Sequence, residues 1–219
     1  MFIVIEGIDG AGCETQGKNL IKMCKEQKSL FPTRLIKYPD YERNVGKIIR
    51  EFLYDNKNLT FQQQFLLYTM QFVMDKSMIK EKRRGEILIA DRYFSTTLCY
   101  QTLEGIDMKM ALDFAKNFEI EVPDAIFYLN VDPDIAIKRK HGEDKEKNFR
   151  EKDFDFIRKT AKQYKMLVEK QVWGKWINID GNKGIEEITK NTLLIFLRVF
   201  SYPQFIHNQS YIIYLLYNI

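Results

Sequence analysis

Gly7, Gly10 and Gly12 stand in the stretch GIDGAGCETQ, which follows directly on the apolar run Phe2–Glu6. Glycines spaced in this way between a strand and a helix allow a tight turn and bring backbone N–H groups close to a phosphate. With Ala11 among them, they make phosphate binding the chemistry to expect of this loop. The pattern G-x-x-x-x-G-K-[ST] asks for a lysine and then a hydroxyl residue after the last glycine. Cys13 and Glu14 occupy those positions, and Thr15 follows. A cation for the β- and γ-phosphates and a hydroxyl ligand for Mg²⁺ are both missing. Cys13 offers a neutral thiol or, at a helix N-terminus, a partial thiolate. Glu14 suits an empty helix N-terminus but would repel a triphosphate.

A second pair, Asp91 and Arg92, ends the apolar run EILIAD. Ligands gather at the C-terminal ends of strands in open α/β sheets. A planar guanidinium matches phosphate oxygens there. A structural Asp–Arg pair at the surface is the alternative. Asp9, inside the glycine loop, reads either as a ligand contact or as an Asx-turn residue.

Short apolar runs must position these groups. Phe2–Glu6, Thr33–Tyr38, Glu86–Asp91, Ala125–Val131 and Lys175–Asp180 have the length and β-branched content of strands covered on both faces. Helical patterns alternate with them: Thr15–Glu26, the segment VGKIIREFLYD from Val45, Phe61–Lys82, Thr97–Leu103, Met108–Asn117, Pro133–Lys140, Phe154–Gln171 and Ile185–Phe200. The alternation predicts an α/β fold, an open and largely parallel sheet of about five strands with helices on both faces. One domain over residues 1–200 is expected, followed by an apolar and aromatic extension, 201–219. The extension reads as an element packed on the domain or as a surface for self-association.

The 219 residues suffice for such a domain. A net charge of +4 suits a small anionic ligand and gives no argument for nucleic acid. Cys13, Cys24 and Cys99 are too few and too scattered for a disulfide framework or a zinc site. No apolar run reaches the ~20 residues needed to span a bilayer, and the N-terminal residues lack signal-peptide features. The expectation is a cytoplasmic protein with no membrane partner.

Several motifs, in order, resemble the thymidylate kinase family of P-loop nucleoside monophosphate kinases. They are FIVIEGIDGAG with Gln16, YPD with GKIIREFL, QQFLLYT, ILIADRY, CYQ, PDAIFYLNVDPDIAIKR and FDFIRKTAKQYKML. The resemblance covers about residues 1–200. It implies transfer of the γ-phosphoryl of ATP to a nucleoside monophosphate, dTMP to dTDP, with Mg²⁺. It implies catalytic roles for Asp9, Asp91, Arg92 and Arg139, with Arg92 clamping the acceptor phosphate and Asp91 acting on Mg²⁺ through water. Gly7, Gly10, Ala11, Gly12, Cys13, Glu14 and Thr15 would face ATP. Tyr38, Tyr68, Phe72, Arg92, Tyr100 and Gln101 would face the acceptor, although Tyr68 on an apolar helix also reads as core. A lid is implied at about 140–151, with Lys138, Arg139, Lys140 and Arg150 as its basic residues; a solvated loop is the bland reading. A homodimer formed through helices is also implied.

The chain departs from the family at ligand-contacting positions. Gln16 keeps the register, so Cys13 and Glu14 are replacements and no insertion moves Thr15 into the hydroxyl position. Phe72 stands where a base-reading arginine is expected, which implies relaxed base choice. Tyr41 stands where an arginine should follow YPD, with Arg43 two residues along. The lid pattern Arg-Phe-Glu reads NFR, with Asn148 at the arginine. The strands and helices keep their patterns, so the sequence describes a preserved fold with a remodelled site. Either other cations such as Lys18 or the lid basics substitute, or activity is reduced. A non-catalytic nucleotide-binding or interaction protein on the same fold is the alternative.

Overall fold

The computed structural model describes residues 1–26, 31–55, 58–142 and 146–199. Five strands pair in parallel in the order β2-β3-β1-β4-β5: β1 (Phe2–Glu6), β2 (Thr33–Lys37), β3 (Ile87–Asp91), β4 (Ala125–Asn130) and β5 (Trp176–Asp180). These are the five runs expected from the sequence, trimmed by a residue at some ends. Phe2, Ile3, Val4 and Ile5 are fully buried because β1 is central and covered on both faces. Each such side chain contributes roughly 1.5–3 kcal/mol through burial.

The helices are α1 (Cys13–Glu26), α2 (Asn44–Tyr54), α3 (Phe61–Lys82), α4 (Phe94–Leu103), α5 (Met108–Asn117), α6 (Pro133–His141), α7 (Phe149–Lys152), α8 (Phe154–Glu169) and α9 (Ile185–Val199). The strand period of two assigns them to layers. Ile5 points at Gly17 of α1, which packs with α9. Glu6, the next residue, points the other way and accepts hydrogen bonds from Ser95 of α4 and Tyr164 of α8. Helices therefore cover both faces of the sheet.

Most helix ends fall within two residues of the sequence reading, and three departures have a visible cause. Helix α1 starts at Cys13, because the Gly12 carbonyl already accepts from the Gln16 amide. Helix α4 starts at Phe94, three residues before the expected Thr97. Its first turn is held by the buried Glu6 carboxylate, which accepts from the Tyr93 amide and the Ser95 and Thr96 hydroxyls. A cap supplied by a distant strand leaves no local signal. Helix α7 was not anticipated at all. Asn148 caps it by accepting from the amides of Arg150 and Glu151, and the Glu151 carboxylate accepts from the Asn148 amide. This is a capping box, and N-x-x-E was its legible signature. The extension 201–219 and residues 143–145 of the expected lid lie outside the described residues. No helix among the described residues is long and apolar enough to cross a membrane.

Candidate active site

A cleft of about 420 Å³ opens at the C-terminal ends of β1, β2 and β3. Its floor is the glycine loop. Gly10 and Gly12 hold φ of 87° and 93°, which glycine adopts without steric cost. A side chain at Gly10 would strike the Ala136 carbonyl of α6, whereas one at Gly12 would meet nothing. Thr15 also lines the cleft. Gly7 and Ala11 do not; they pack together beneath the loop, with Ala11 buried.

Cys13 is 5% exposed, and burial pushes its thiol far above the ordinary range. It is therefore a neutral thiol, and the partial thiolate considered from sequence does not form. Glu14 accepts from Lys18 on its own helix at 2.6 Å and from Lys37 at the end of β2 at 2.5 Å. These two hydrogen bonds, Lys18 first, lower its carboxyl to about 2. One negative charge thus lies between two positive ones at the cleft that Glu14 lines. The pairs are half-exposed and add little to stability on their own. Their effect is on the local field.

Across the cleft, Arg92 Nη2 donates to Asp9 Oδ1 at 2.6 Å, and the Tyr100 hydroxyl donates to Asp9 Oδ2 at 3.2 Å. The Arg92 guanidinium also lies 5.8 Å from the centre of the Tyr100 ring. Arg92 sits at φ 66°, a left-handed conformation unusual for a residue with a side chain. Such a conformation costs about 1–2 kcal/mol and persists where the surroundings enforce it. Here the Arg92 amide donates to the Ile5 carbonyl of β1, and the side chain reaches Asp9 of the loop. Asp91 is 4% exposed, and burial raises its carboxyl to about 6 against the pull of Arg92 and Lys37. The Lys37 ammonium lies 3.8 Å from it.

The far end of the cleft is aromatic. Tyr38, Tyr41, Tyr68, Tyr100 and Gln101 line it, as does Arg150. The Tyr38 hydroxyl donates to Asp75 of α3 at 2.7 Å. Arg43 donates twice to the same carboxylate, at 2.8 and 2.7 Å, and is not part of the cleft lining. Phe72 does not line the cleft either, contrary to the sequence expectation. It is 2% exposed, in an aromatic cluster with Tyr38, Tyr93 and Phe94, because its side of α3 faces the core.

The basic residues of the expected lid part company. Lys140 and Arg150 line the cleft, and Lys140 pairs with Glu151 at 3.1 Å. Arg139 donates to the carbonyls of Gly181 and Lys183 after β5, at 2.8 and 2.9 Å, and Lys138 is exposed. Neither lines the cleft. Sequence reasoning missed Lys37, Gln64, Glu104 and Glu151, whose roles depend on partners far along the chain.

Among the described residues, no three His, Cys, Asp or Glu side chains gather as a metal site. Mg²⁺ needs no such cage, since it is held by one or two carboxylates together with substrate phosphates and water. Asp91, lining the cleft beside the loop, fits that requirement.

The cleft thus has one wall formed by the glycine loop and the start of α1, and another with an arginine and aromatic rings. On a parallel sheet of this strand order, that division of labour is characteristic of a P-loop nucleoside monophosphate kinase. A family model for thymidylate kinase matches residues 5–192. The chain is 31% identical over 198 residues to the probable thymidylate kinase of Methanocaldococcus jannaschii, covering 90% of this chain and 96% of that one. It is 30% identical over 205 residues to the thymidylate kinase of Leptospira borgpetersenii, with 92% and 95% covered. Its fold is similar to that of the thymidylate kinase from Candida albicans, with a TM-score of 0.70 at 22% identity over 91% of this chain and 92% of the other. The chain belongs to the thymidylate kinase family.

Proposed function

We propose that this protein transfers the γ-phosphoryl group of ATP to dTMP, giving dTDP and ADP. The observation that carries this reading is Arg92 held on Asp9 inside the cleft, at the junction of the glycine loop and β3. Phosphoryl transfer is mainly positioning and charge stabilisation, and these residues supply both. The amides of the loop and of the first turn of α1 cradle the ATP phosphates. Lys37 and Lys18 supply the positive charge that position 13 lacks, with Glu14 holding both at the mouth of the loop. Arg92 clamps the acceptor phosphate, and Asp9 and Tyr100 fix its guanidinium. Asp91 would hold Mg²⁺ through water; bound there, the ion neutralises charge on the phosphoryl oxygens. Tyr68, Tyr100 and Gln101 receive the acceptor's base.

The alternative, a non-catalytic nucleotide-binding protein, is favoured by one observation: the buried neutral thiol of Cys13 at the lysine position. Separation of the products of a reaction with ATP, Mg²⁺ and dTMP decides between them. Stoichiometric appearance of dTDP and ADP supports the kinase. Nucleotide binding with no dTDP formed over many hours supports the alternative.

A homodimer belongs to the same reading. Leu66, Met70 and Met74 recur every four residues along α3 and are each about half exposed. An apolar stripe of this kind on a helix suits a second copy of the chain. The three cysteines are free and buried, in keeping with a reducing, cytoplasmic setting.

A further inference from the structure

We infer that Glu6, at the end of β1, is a positioning residue that fixes the backbone of Arg92 and so aims its guanidinium at the acceptor phosphate. The inference rests on the kinase reading above. Glu6 is fully buried and does not line the cleft, so it touches neither nucleotide. A buried carboxylate is costly unless its oxygens are hydrogen-bonded. Here both are. Oε1 accepts from the Tyr93 amide at 3.2 Å, the Ser95 hydroxyl at 2.6 Å and the Thr96 hydroxyl at 2.9 Å. Oε2 accepts from the Thr96 hydroxyl at 2.8 Å and the Tyr164 hydroxyl at 2.7 Å. Burial pushes the carboxyl up, and the charge of Arg92 is first among the influences that pull it back, ahead of those hydroxyls.

The contact with Tyr93 matters most, because of where it falls. The torsions φ and ψ of a residue relate the peptide plane before it to the plane after it. The plane before Arg92 carries the Arg92 N–H, which donates to the Ile5 carbonyl at 3.1 Å. The plane after it carries the Tyr93 N–H, which donates to Glu6. Both planes are pinned to consecutive residues of β1, one through the main chain and one through a side chain. Arg92 holds φ of 66°, and such a residue persists there only where its surroundings enforce it. Two pinned planes do so. Asp9, three residues beyond Glu6, then takes the guanidinium itself. One short segment thereby sets the backbone and the side chain of the arginine together.

Capping of α4 alone would not call for this arrangement. Tyr93 is the N-cap residue of α4, and its own side chain makes no capping bond. A serine or aspartate at that position would cap locally. Bringing the acceptor from β1 instead ties the turn at Arg92 to the strand that leads into the glycine loop. The arginine and the loop are held in one register.

Two substitutions separate reach from charge. Glu6→Asp keeps the carboxylate but draws it back by one methylene from the Tyr93 amide. Glu6→Gln keeps the reach and an oxygen for that amide. Calorimetric binding of dTMP, and of thymidine, which lacks the phosphate, is measured for both, with and without Arg92→Lys. Glu6→Asp should weaken dTMP by about tenfold, the scale of one charged hydrogen bond, and thymidine by less than about twofold. Glu6→Gln should stay within about threefold of wild type for both ligands. In the Arg92→Lys background Glu6→Asp should add less than about twofold, because its effect runs through the arginine. Ser95→Ala, which takes one donor from the carboxylate, should show the same pattern at about threefold, and it carries the test should Glu6→Asp fail to fold in a thermal melt. The proposal is overturned if the loss for dTMP is the same in both backgrounds, or if thymidine weakens as much as dTMP, both marks of a general structural prop. It is equally overturned if Glu6→Asp binds dTMP like the wild type, or if Glu6→Gln loses as much as Glu6→Asp. If the wild type forms dTDP but this coupling is absent, only this assignment falls. If the wild type binds no dTMP and forms no dTDP, the kinase reading falls with it.

Discussion

The Lys37 ammonium at the end of β2 donates to the Glu14 carboxylate at the start of α1, 2.5 Å across the mouth of the glycine loop. This contact gives the loop a cation from outside its own sequence. If Lys37 stands in for the missing loop lysine, Lys37→Met should weaken ATP binding by at least about tenfold, the cost of one charged hydrogen bond. The melting temperature should barely move, since the pair is half-exposed. Calorimetry with ATP and a thermal melt measure the two. ATP affinity equal to wild type would remove Lys37 from the account.

Arg92→Lys is expected to separate acceptor use from folding. Lysine can still pair with Asp9, but it lacks the planar fork that grips a phosphate on two oxygens. We expect kcat/KM for dTMP to fall by about 100-fold or more, and the melting temperature by only a few degrees. A loss of stability matching the loss of rate would make Arg92 a structural residue.

Asp91 sets a pH dependence. Burial raises its native carboxyl from 3.8 to about 6, so the native state holds this proton more tightly than the unfolded chain. Its contribution to stability is therefore present at low pH and lost as pH rises through that window. Metal binding runs the other way, because the ionised form is the one that attracts Mg²⁺. The Mg²⁺ concentration for half-maximal rate should rise as pH falls through about 6, by about tenfold per unit below it. Titrations at pH 5.5, 6.5 and 7.5 measure this, and Asp91→Asn should abolish the dependence.

The buried thiols give a chemical test of the loop's packing. Burial raises Cys13 and Cys99 well above the ordinary thiol range and Cys24 to about 11. Iodoacetamide at pH 8 should leave all three unmodified in the native protein and modify all three in denaturant, as read by intact mass. Rapid native modification of Cys13 would mean that it is an exposed thiolate after all.

The apolar stripe on α3 makes a simple prediction about assembly. Met70→Asp places a charge in its centre and should convert a dimer into a monomer, read by light scattering. A wild type that is monomeric at high concentration would dispose of the dimer.

The sequence by itself determined the sheet, most of the helices and the position of the glycine loop between β1 and α1. Those features are local. Five β-rich runs, the 3.6-residue periodicities and the glycine spacing each act over a few neighbouring residues and leave their mark in order along the chain. Only the tertiary structure decided which cation faces which group. Lys37 meets Glu14 from another strand, Arg139 turns to the carbonyls of Gly181 and Lys183, and Arg150 crosses to Gln64 and Glu104. Phe72 went to the core and Arg150 to the cleft because the rotation of α3 and the capping of α7 by Asn148 set their directions. Long charged side chains take their partners from whatever packing brings within reach, and residue type and spacing alone do not encode that reach.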